Sequence, residues 1–237
     1  MRHYFLFLLM CWVCLLSNSC GDRNPENTTN STAKLDQGTV EIPKPIIPET
    51  PSATFATVCS VCHGAQGEGN LTLRSPSIAG LPAWYVHMQL DKFRTDQRGT
   101  HQNDVQGQQM HVIALSLTPA MKDAAASSVE QLPRFPTTNS LGGNSAKGED
   151  LFKSSCIDCH RYNASGELAF RSAPLTGLQD WYLVAQLIKF REGIRGKIPG
   201  DEDGAKMHLQ TGAMTDEQFR DVVAYIADLA QRYRSER

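Results

Sequence analysis

The chain has 237 residues, 41% of them hydrophobic and 20% charged, with a net charge of −2, proportions typical of a globular protein. A near-neutral balance without a dense basic face argues against a nucleic-acid partner. Four of the seven cysteines sit in two short motifs, and the other three, Cys11, Cys14 and Cys20, lie near the N-terminus. No spare pair is left for a disulfide framework.

Residues 1–20 have the form of a secretory signal. Arg2 and His3 precede an unbroken apolar run of 13 residues, Tyr4 to Leu16, shorter than the roughly 20 that span a bilayer. Cys20 stands where the lipidated first residue of a lipoprotein would stand, which would tether the mature chain to a membrane. Ser17, in place of the usual bulky aliphatic residue, keeps ordinary cleavage and release as the alternative. Residues 21–50 read as a disordered tether, polar around Asn27 to Thr32 and then marked by Pro43, Pro45 and Pro48, which favour extended chain.

Cys59-Ser60-Val61-Cys62-His63 and Cys156-Ile157-Asp158-Cys159-His160 are each Cys-x-x-Cys-His, the c-type haem attachment signature. Each thiol can bond to a haem vinyl group, and the adjacent histidine is held to ligate the iron. Two haem c groups are therefore expected, and this chemistry is performed outside the bacterial cytoplasm, in keeping with an exported, periplasmic protein. Zinc is a weaker reading: each motif supplies three ligands where four are usual, and 93 residues separate Cys62 from Cys156. A thioredoxin-like redox motif would need a βαβ context, and none is legible.

Sliding the sequence by 97 residues lays one motif on the other, and the register continues. Gly69 falls on Gly166, Arg74-Ser75 on Arg171-Ser172, Trp84-Tyr85 on Trp181-Tyr182, Lys92-Phe93-Arg94 on Lys189-Phe190-Arg191, and Met110-His111 on Met207-His208. This is a duplicated domain: residues 51–132 form the first copy, 133–144 a Pro- and Gly-punctuated linker, and 145–237 the second. The elements are all helical. Residues Ser145 to Ser155 lead into the second motif, Trp181, Val184, Ala185 and Ile188 make a middle stripe, and Thr215-Asp216-Glu217-Gln218 is a capping box. Behind it, Phe219, Val222, Val223, Ile226 and Leu229 recur at helical spacing. A copy of this size has a marginal core of its own, which a covalently fixed haem would complete.

His63 and His160 are the proximal ligands on this reading. Met110 and Met207 are the candidate distal ligands, each 47 residues beyond its histidine in a segment with few helix signals. A lone methionine is more often gap-filling core, and Met88, Met121 and Met214 are read that way. A thioether favours ferrous iron, raises the potential and seals the coordination sphere. His111 and His208 repeat next door, so bis-histidine ligation stays open.

With these motifs, the Gly-Leu-x-x-Trp-Tyr helix starts and the methionine segments, residues 52–237 resemble the tandem di-haem class I cytochromes c of the cytochrome c4 kind. The resemblance implies two class I domains related by a pseudo-twofold, facing haem edges, and electron shuttling to a terminal oxidase or reductase. Two departures stand out. The proline that commonly orients the proximal histidine through its carbonyl stands four residues before Gly80 (Pro76) but three before Gly177 (Pro174), which puts that contact in doubt in the second copy. The leading and terminal helices carry Gly148 and Tyr225 in the second copy but Pro51 and Ser128 in the first, so a different and weaker helix crossing is expected there.

The leading functional expectation is a non-enzymatic carrier passing single electrons between a membrane dehydrogenase complex and an acceptor. A di-haem enzyme such as a peroxidase, with one displaceable ligand, and a fixed subunit of a respiratory complex are the alternatives. Lys189, Arg191, Arg195 and Lys197 beside Asp201, Glu202 and Asp203 read as a solvated mixed-charge face.

Overall fold

The computed structural model describes residues 50–233. The signal segment, Cys20, most of the tether and residues 234–237 lie outside them. Among the described residues there are helices and two isolated bridges, but no strand. No helix there is long and apolar enough to cross a membrane.

The second copy is the more regular. α5 (Ser145–Ser155) starts at Asn144, whose side chain accepts from the Lys147 N–H, and runs into α6 (Ile157–His160). α7 (Asp180–Arg191) and α8 (Glu202–Thr211) follow, and α9 (Asp216–Arg232) closes the domain behind the full Thr215/Gln218 capping box. Its stripe Phe219, Val222, Val223, Ile226 and Leu229 is buried. α5 crosses α9 at Gly148, where a Cβ would lie 1.9 Å from the Asp221 carbonyl oxygen. Phe152, fully buried, packs its ring on Tyr225 at 5.5 Å.

The first copy follows the same order with α1 (Ser60–His63), α2 (Ala83–Arg94), α3 (Val105–Ser116) and α4 (Pro119–Gln131). A regular leading helix is replaced by a 3-10 turn, Pro51–Ala53, and a π-helical segment, Phe55–Cys59. α4 buries only Met121, Ala125, Ala126 and Val129, and Pro133 follows its C-cap Leu132, since proline cannot continue the ladder.

The segment between the copies is extended and pinned to the second one. The fully buried carboxylate of Asp180 accepts from the Ser140 hydroxyl (2.8 Å) and the Leu141 N–H (3.0 Å). The Thr137 hydroxyl accepts from the Gly177 N–H (2.8 Å). One apolar cluster runs through both copies, joining Phe55, Leu81, Tyr85 and Met88 to Phe152, Leu178, Leu183, Val222 and Ile226. The copies therefore share a core.

Candidate functional site

Two cavities of about 200 and 190 Å³ lie inside this core. Close-packed interiors hold few voids larger than a water molecule, so spaces of this size are sites. Cys59, Cys62 and His63 stand on one wall of the first cavity and Met110 on its lining. Cys156, Cys159, His160 and Met207 stand in the same way around the second. Each cavity is completed by the opposite copy: Tyr182, Gln186 and Lys189 line the first, and Tyr85, Gln89 and Lys92 the second.

The proximal histidines are held alike. His63 Nδ1 lies 2.7 Å from the Pro76 carbonyl oxygen and His160 Nδ1 2.8 Å from that of Ala173. A carbonyl only accepts, so Nδ1 carries the proton in both rings and the Nε2 lone pair is free for a metal. Burial lowers both histidine pKa values, against the raising effect of the backbone hydrogen bond, which keeps the rings neutral. The doubt over the second contact is thereby removed: the acceptor is a backbone carbonyl, which Ala173 supplies as well as Pro76. What the fold requires is Gly69 and Gly166, at φ +89 and +73. A Cβ there would meet Ser77 N at 2.6 Å or Ser172 O at 2.5 Å, blocking the loop that returns the carbonyl.

Cys59 and Cys156 are enclosed, and burial pushes both thiols up to about 11. Cys62 and Cys159 are exposed.

Met110 and Met207 do not lie in irregular segments; they sit in the middle of α3 and α8. Glycine within the first turn depresses helix propensity there, but Asp104 and Asp201 cap the two helices by accepting from Gly107 N (3.0 Å) and Gly204 N (3.1 Å). The neighbouring histidines turn elsewhere. His111 Nδ1 donates to the Phe93 carbonyl at 2.5 Å and His208 Nδ1 to that of Phe190 at 2.6 Å. Met88 and Met214 also line the second cavity, whereas Met110 is the methionine on the first.

Between the cavities lies a polar layer the sequence reading missed. Arg98 and Arg195 are both buried, each over its own copy's phenylalanine (Phe93 and Phe190) at 4.5 Å. Arg98 donates to Gln89 (2.6 Å), the Tyr182 hydroxyl (3.0 Å) and Gln186 (3.2 Å). Arg195 donates to Gln186 (2.9 Å) and Gln89 (3.0 Å), with Tyr85 beside it. All these residues pair at an offset of 97, so their contacts are reciprocal, as a two-fold interface requires. Burial, joined by the Arg98 charge, pushes the Arg195 guanidinium down from its ordinary value. Arg98 Nε and Arg195 Nε are buried without a hydrogen-bond partner. Some of the charges read as solvated also belong to this layer, while Lys197 and Glu202 are exposed as expected. Arg195 and Asp201 are buried, and Lys189 reaches Asp104 of the first copy at 2.5 Å. The legible signal was that Lys92, Arg98 and Asp104 recur in register as Lys189, Arg195 and Asp201, whereas Asp91 and Asp96 fall on Ile188 and Gly193, as surface charges are free to do.

The donors and cavities fit haem. The walls are largely apolar, and a neutral imidazole with a free nitrogen and a thioether side chain are among the residues lining each cavity. One unsatisfied buried guanidinium nitrogen belongs to an arginine lining each cavity, Arg98 at the first and Arg195 at the second, and suits a haem carboxylate. Among the described residues, no group of three or more His, Cys, Asp or Glu converges into a metal cage of another kind.

Twin cavities, each walled by a Cys-x-x-Cys-His segment in a small helical domain, define a double-domain haem protein of the c type. The chain belongs to the cytochrome c family, whose pattern matches residues 51–130 and 145–230. It is a tandem di-haem cytochrome c of the cytochrome c4-like kind, with two covalently bound haem c groups. It is 31% identical over 187 residues to the thiosulfate dehydrogenase electron acceptor of Stutzerimonas stutzeri (strain A1501), covering 75% of this chain and 81% of that one. The Thiomonas intermedia (strain K12) protein of the same name is 32% identical over 182 residues, 73% and 78% of the two chains. In structure it resembles cytochrome c4 of Acidithiobacillus ferrooxidans (TM-score 0.57, 26% identity, 71% of this chain and 96% of that one). It also resembles thiosulfate dehydrogenase (TsdBA) of Marichromatium purpuratum (TM-score 0.57, 27% identity, 71% of this chain), of whose longer chain it spans 36%.

Proposed function

We propose that this chain is an exported, periplasmic carrier of single electrons that does not itself catalyse a substrate reaction. Its Cys59/Cys62 and Cys156/Cys159 thiols form the haem attachments, His63 and His160 ligate from one side, and Met110 and Met207 ligate from the other. Bound haem supplies reversible one-electron oxidation and reduction of iron; the protein supplies the sealed, fixed surroundings. Methionine is favoured over His111 and His208 because both methionines line the cavities, while neither histidine is among the lining residues. A thioether on both irons leaves no open position, which favours a carrier over a peroxidase.

The observation that carries the proposal is the shared wall. Each cavity borrows a tyrosine, a glutamine and a lysine from the opposite copy, so the two sites share a wall of side chains. The electron acceptor role of the relatives supports a thiosulfate dehydrogenase as the donor. A membrane dehydrogenase complex is the more general alternative, and a terminal oxidase or reductase is the onward acceptor. Cys20, if lipidated, would keep the carrier at the membrane surface.

The test is rapid mixing of the oxidised two-haem protein with a thiosulfate dehydrogenase and thiosulfate. Reduction of both haems, with the sulfur-to-iron charge-transfer band present beforehand, is the expected result. Carbon monoxide binding to the reduced protein, or absence of that band, would replace this reading with an enzyme or a bis-histidine carrier.

A further inference from the structure

The caps of the two methionine helices are held from the opposite copy. Asp201 caps α8 of the second copy, and the same Oδ1 atom that accepts from Gly204 N also takes Lys92 Nζ of α2 at 2.5 Å. Asp104 caps α3 of the first copy, and its Oδ1 takes Lys189 Nζ of α7 at 2.5 Å. These groups are enclosed: 6% and 1% side-chain exposure for Lys92 and Asp201, and 16% and 3% for Lys189 and Asp104. Charges so buried are tolerated only while paired. The first turn of each methionine helix can therefore seat only when the other copy's middle helix is docked.

We propose that Lys92 and Lys189 are positioning residues acting in trans, Lys92 fixing Met207 in the second copy and Lys189 fixing Met110 in the first. The inference rests on the methionine ligation proposed above. Each methionine lies six residues beyond its capping aspartate, on the helix whose N-terminus the lysine anchors. The two straps differ in strength. Lys92 also meets Asp203 at 3.1 Å, and Asp203 is held in turn by Arg171 at 2.8 Å. Gln106 stands where the first copy would need that second carboxylate, so Lys189 has Asp104 alone. Removing Lys92 leaves the buried Asp201 without its cation and Asp203 with Arg171 alone; removing Lys189 takes one ion pair, that of Asp104. The second copy's methionine is the more dependent on its neighbour.

The test uses Lys92→Met and Lys189→Met in the complete two-haem protein. Proton NMR of the reduced form resolves the methyl group of each iron-bound methionine, and added imidazole reports how readily each thioether is displaced. Lys92→Met is expected to broaden or remove the Met207 methyl signal and to speed displacement at the second haem by about tenfold or more, with Met110 unchanged. Lys189→Met should do the reverse, with the smaller effect. Lys92→Arg, which keeps the charge, should restore the Met207 signal, a rescue that loss of packing alone would not give. If Lys92→Met fails to fold, Lys92→Gln gives the same readout at similar length.

Unchanged signals in both variants, or Lys92→Met acting on Met110 instead, would overturn the straps while leaving the ligation intact. An unsubstituted protein lacking two bound-methionine methyls would overturn the ligation itself, and the straps with it.

Discussion

The two copies share a plan and differ in how it is held together. In the second, α5 and α9 touch backbone to backbone because Gly148 has no Cβ, and Phe152 stacks on Tyr225 beside that contact. In the first, a 3-10 turn and a π-helical segment stand in for the helix, and Ser128 replaces Tyr225. The first copy also takes support from outside. Gln179, at the start of α7, accepts from the Ser77 N–H (2.7 Å) and donates to the Glu68 carbonyl (2.6 Å), bracing the loop that holds His63. No reciprocal bond is available, since Pro82 fills the matching position. The lesson concerns the crossing of leading and terminal helices: in the second copy that crossing is packed from within, whereas the first copy's lacks such packing and its His63 loop is braced from the second.

Gly148→Val breaks this comparison most directly. A side chain aimed at the Asp221 carbonyl at 1.9 Å must separate two backbones. Overpacking of this sort costs about 3 kcal/mol or more, seen as early unfolding of the second copy in denaturant, with the first copy following because its support is lost. Phe152→Ala and Phe55→Ala come next. Phe152 is fully buried and Phe55 is 9% exposed with no aromatic partner at position 128, so the first substitution should cost about 4 kcal/mol and the second about 2 kcal/mol. Equal losses by chemical denaturation would show that the first crossing is no weaker.

Acid probes the layer between the copies. Burial raises the Asp104 carboxyl, but the Lys189 hydrogen bond and charge, with help from Arg98, bring it below the usual range. Asp203 behaves in the same way, with burial outweighed by its bonds to Arg171 and Lys92. A depressed carboxylate contributes its full stability above the unfolded pKa of about 4 and loses it as pH falls through the lower native value. The melting temperature should therefore stay flat from neutrality down to about pH 5 and drop only below about pH 4. In Asp104→Asn the protein should be less stable at neutrality and show a shallower acid drop. A decline already under way between pH 7 and 5 would mean that these carboxylates are not held as described.

Much of this was legible beforehand, and what was not has a common cause. The attachment motifs, the helix Ser145–Ser155 and the stripe of α9 follow from spacing within one copy, and the duplication from laying one copy on the other. The solvated reading of Lys189, Arg195 and Asp201 failed because their partners, Asp104, Gln89 and Lys92, belong to the other copy. Nothing in a single domain's periodicity shows that a charged face will be closed by its duplicate. The methionine segments failed for a local reason, as a first-turn glycine hid helices whose capping aspartates were nevertheless in plain view. The proximal contact failed because a proline was sought where only a carbonyl is needed.

The smallest effect is the sharpest test of the comparison between terminal helices. Thr215 accepts from Gln218 N at 3.2 Å while the Gln218 side chain accepts from Thr215 N at 2.9 Å, so both halves of the box are made. Thr118 caps α4 by accepting from Met121 N at 3.3 Å. Its N3 residue is Met121, buried in the core and without an acceptor of matching reach, so the reciprocal bond is missing. Thr215→Ala should cost about 1 kcal/mol, and Gln218→Ala a further few tenths. Thr118→Ala should cost less than Thr215→Ala because one bond is lost where the box strands a second. Measured on the haem signal of each copy, the two losses should fall in that order. If Thr118→Ala proves the more damaging, α4 depends on its cap more than on its contacts. The first copy would then be weak because its helix has little to pack with, and the crossing at the leading segment would be a lesser cause.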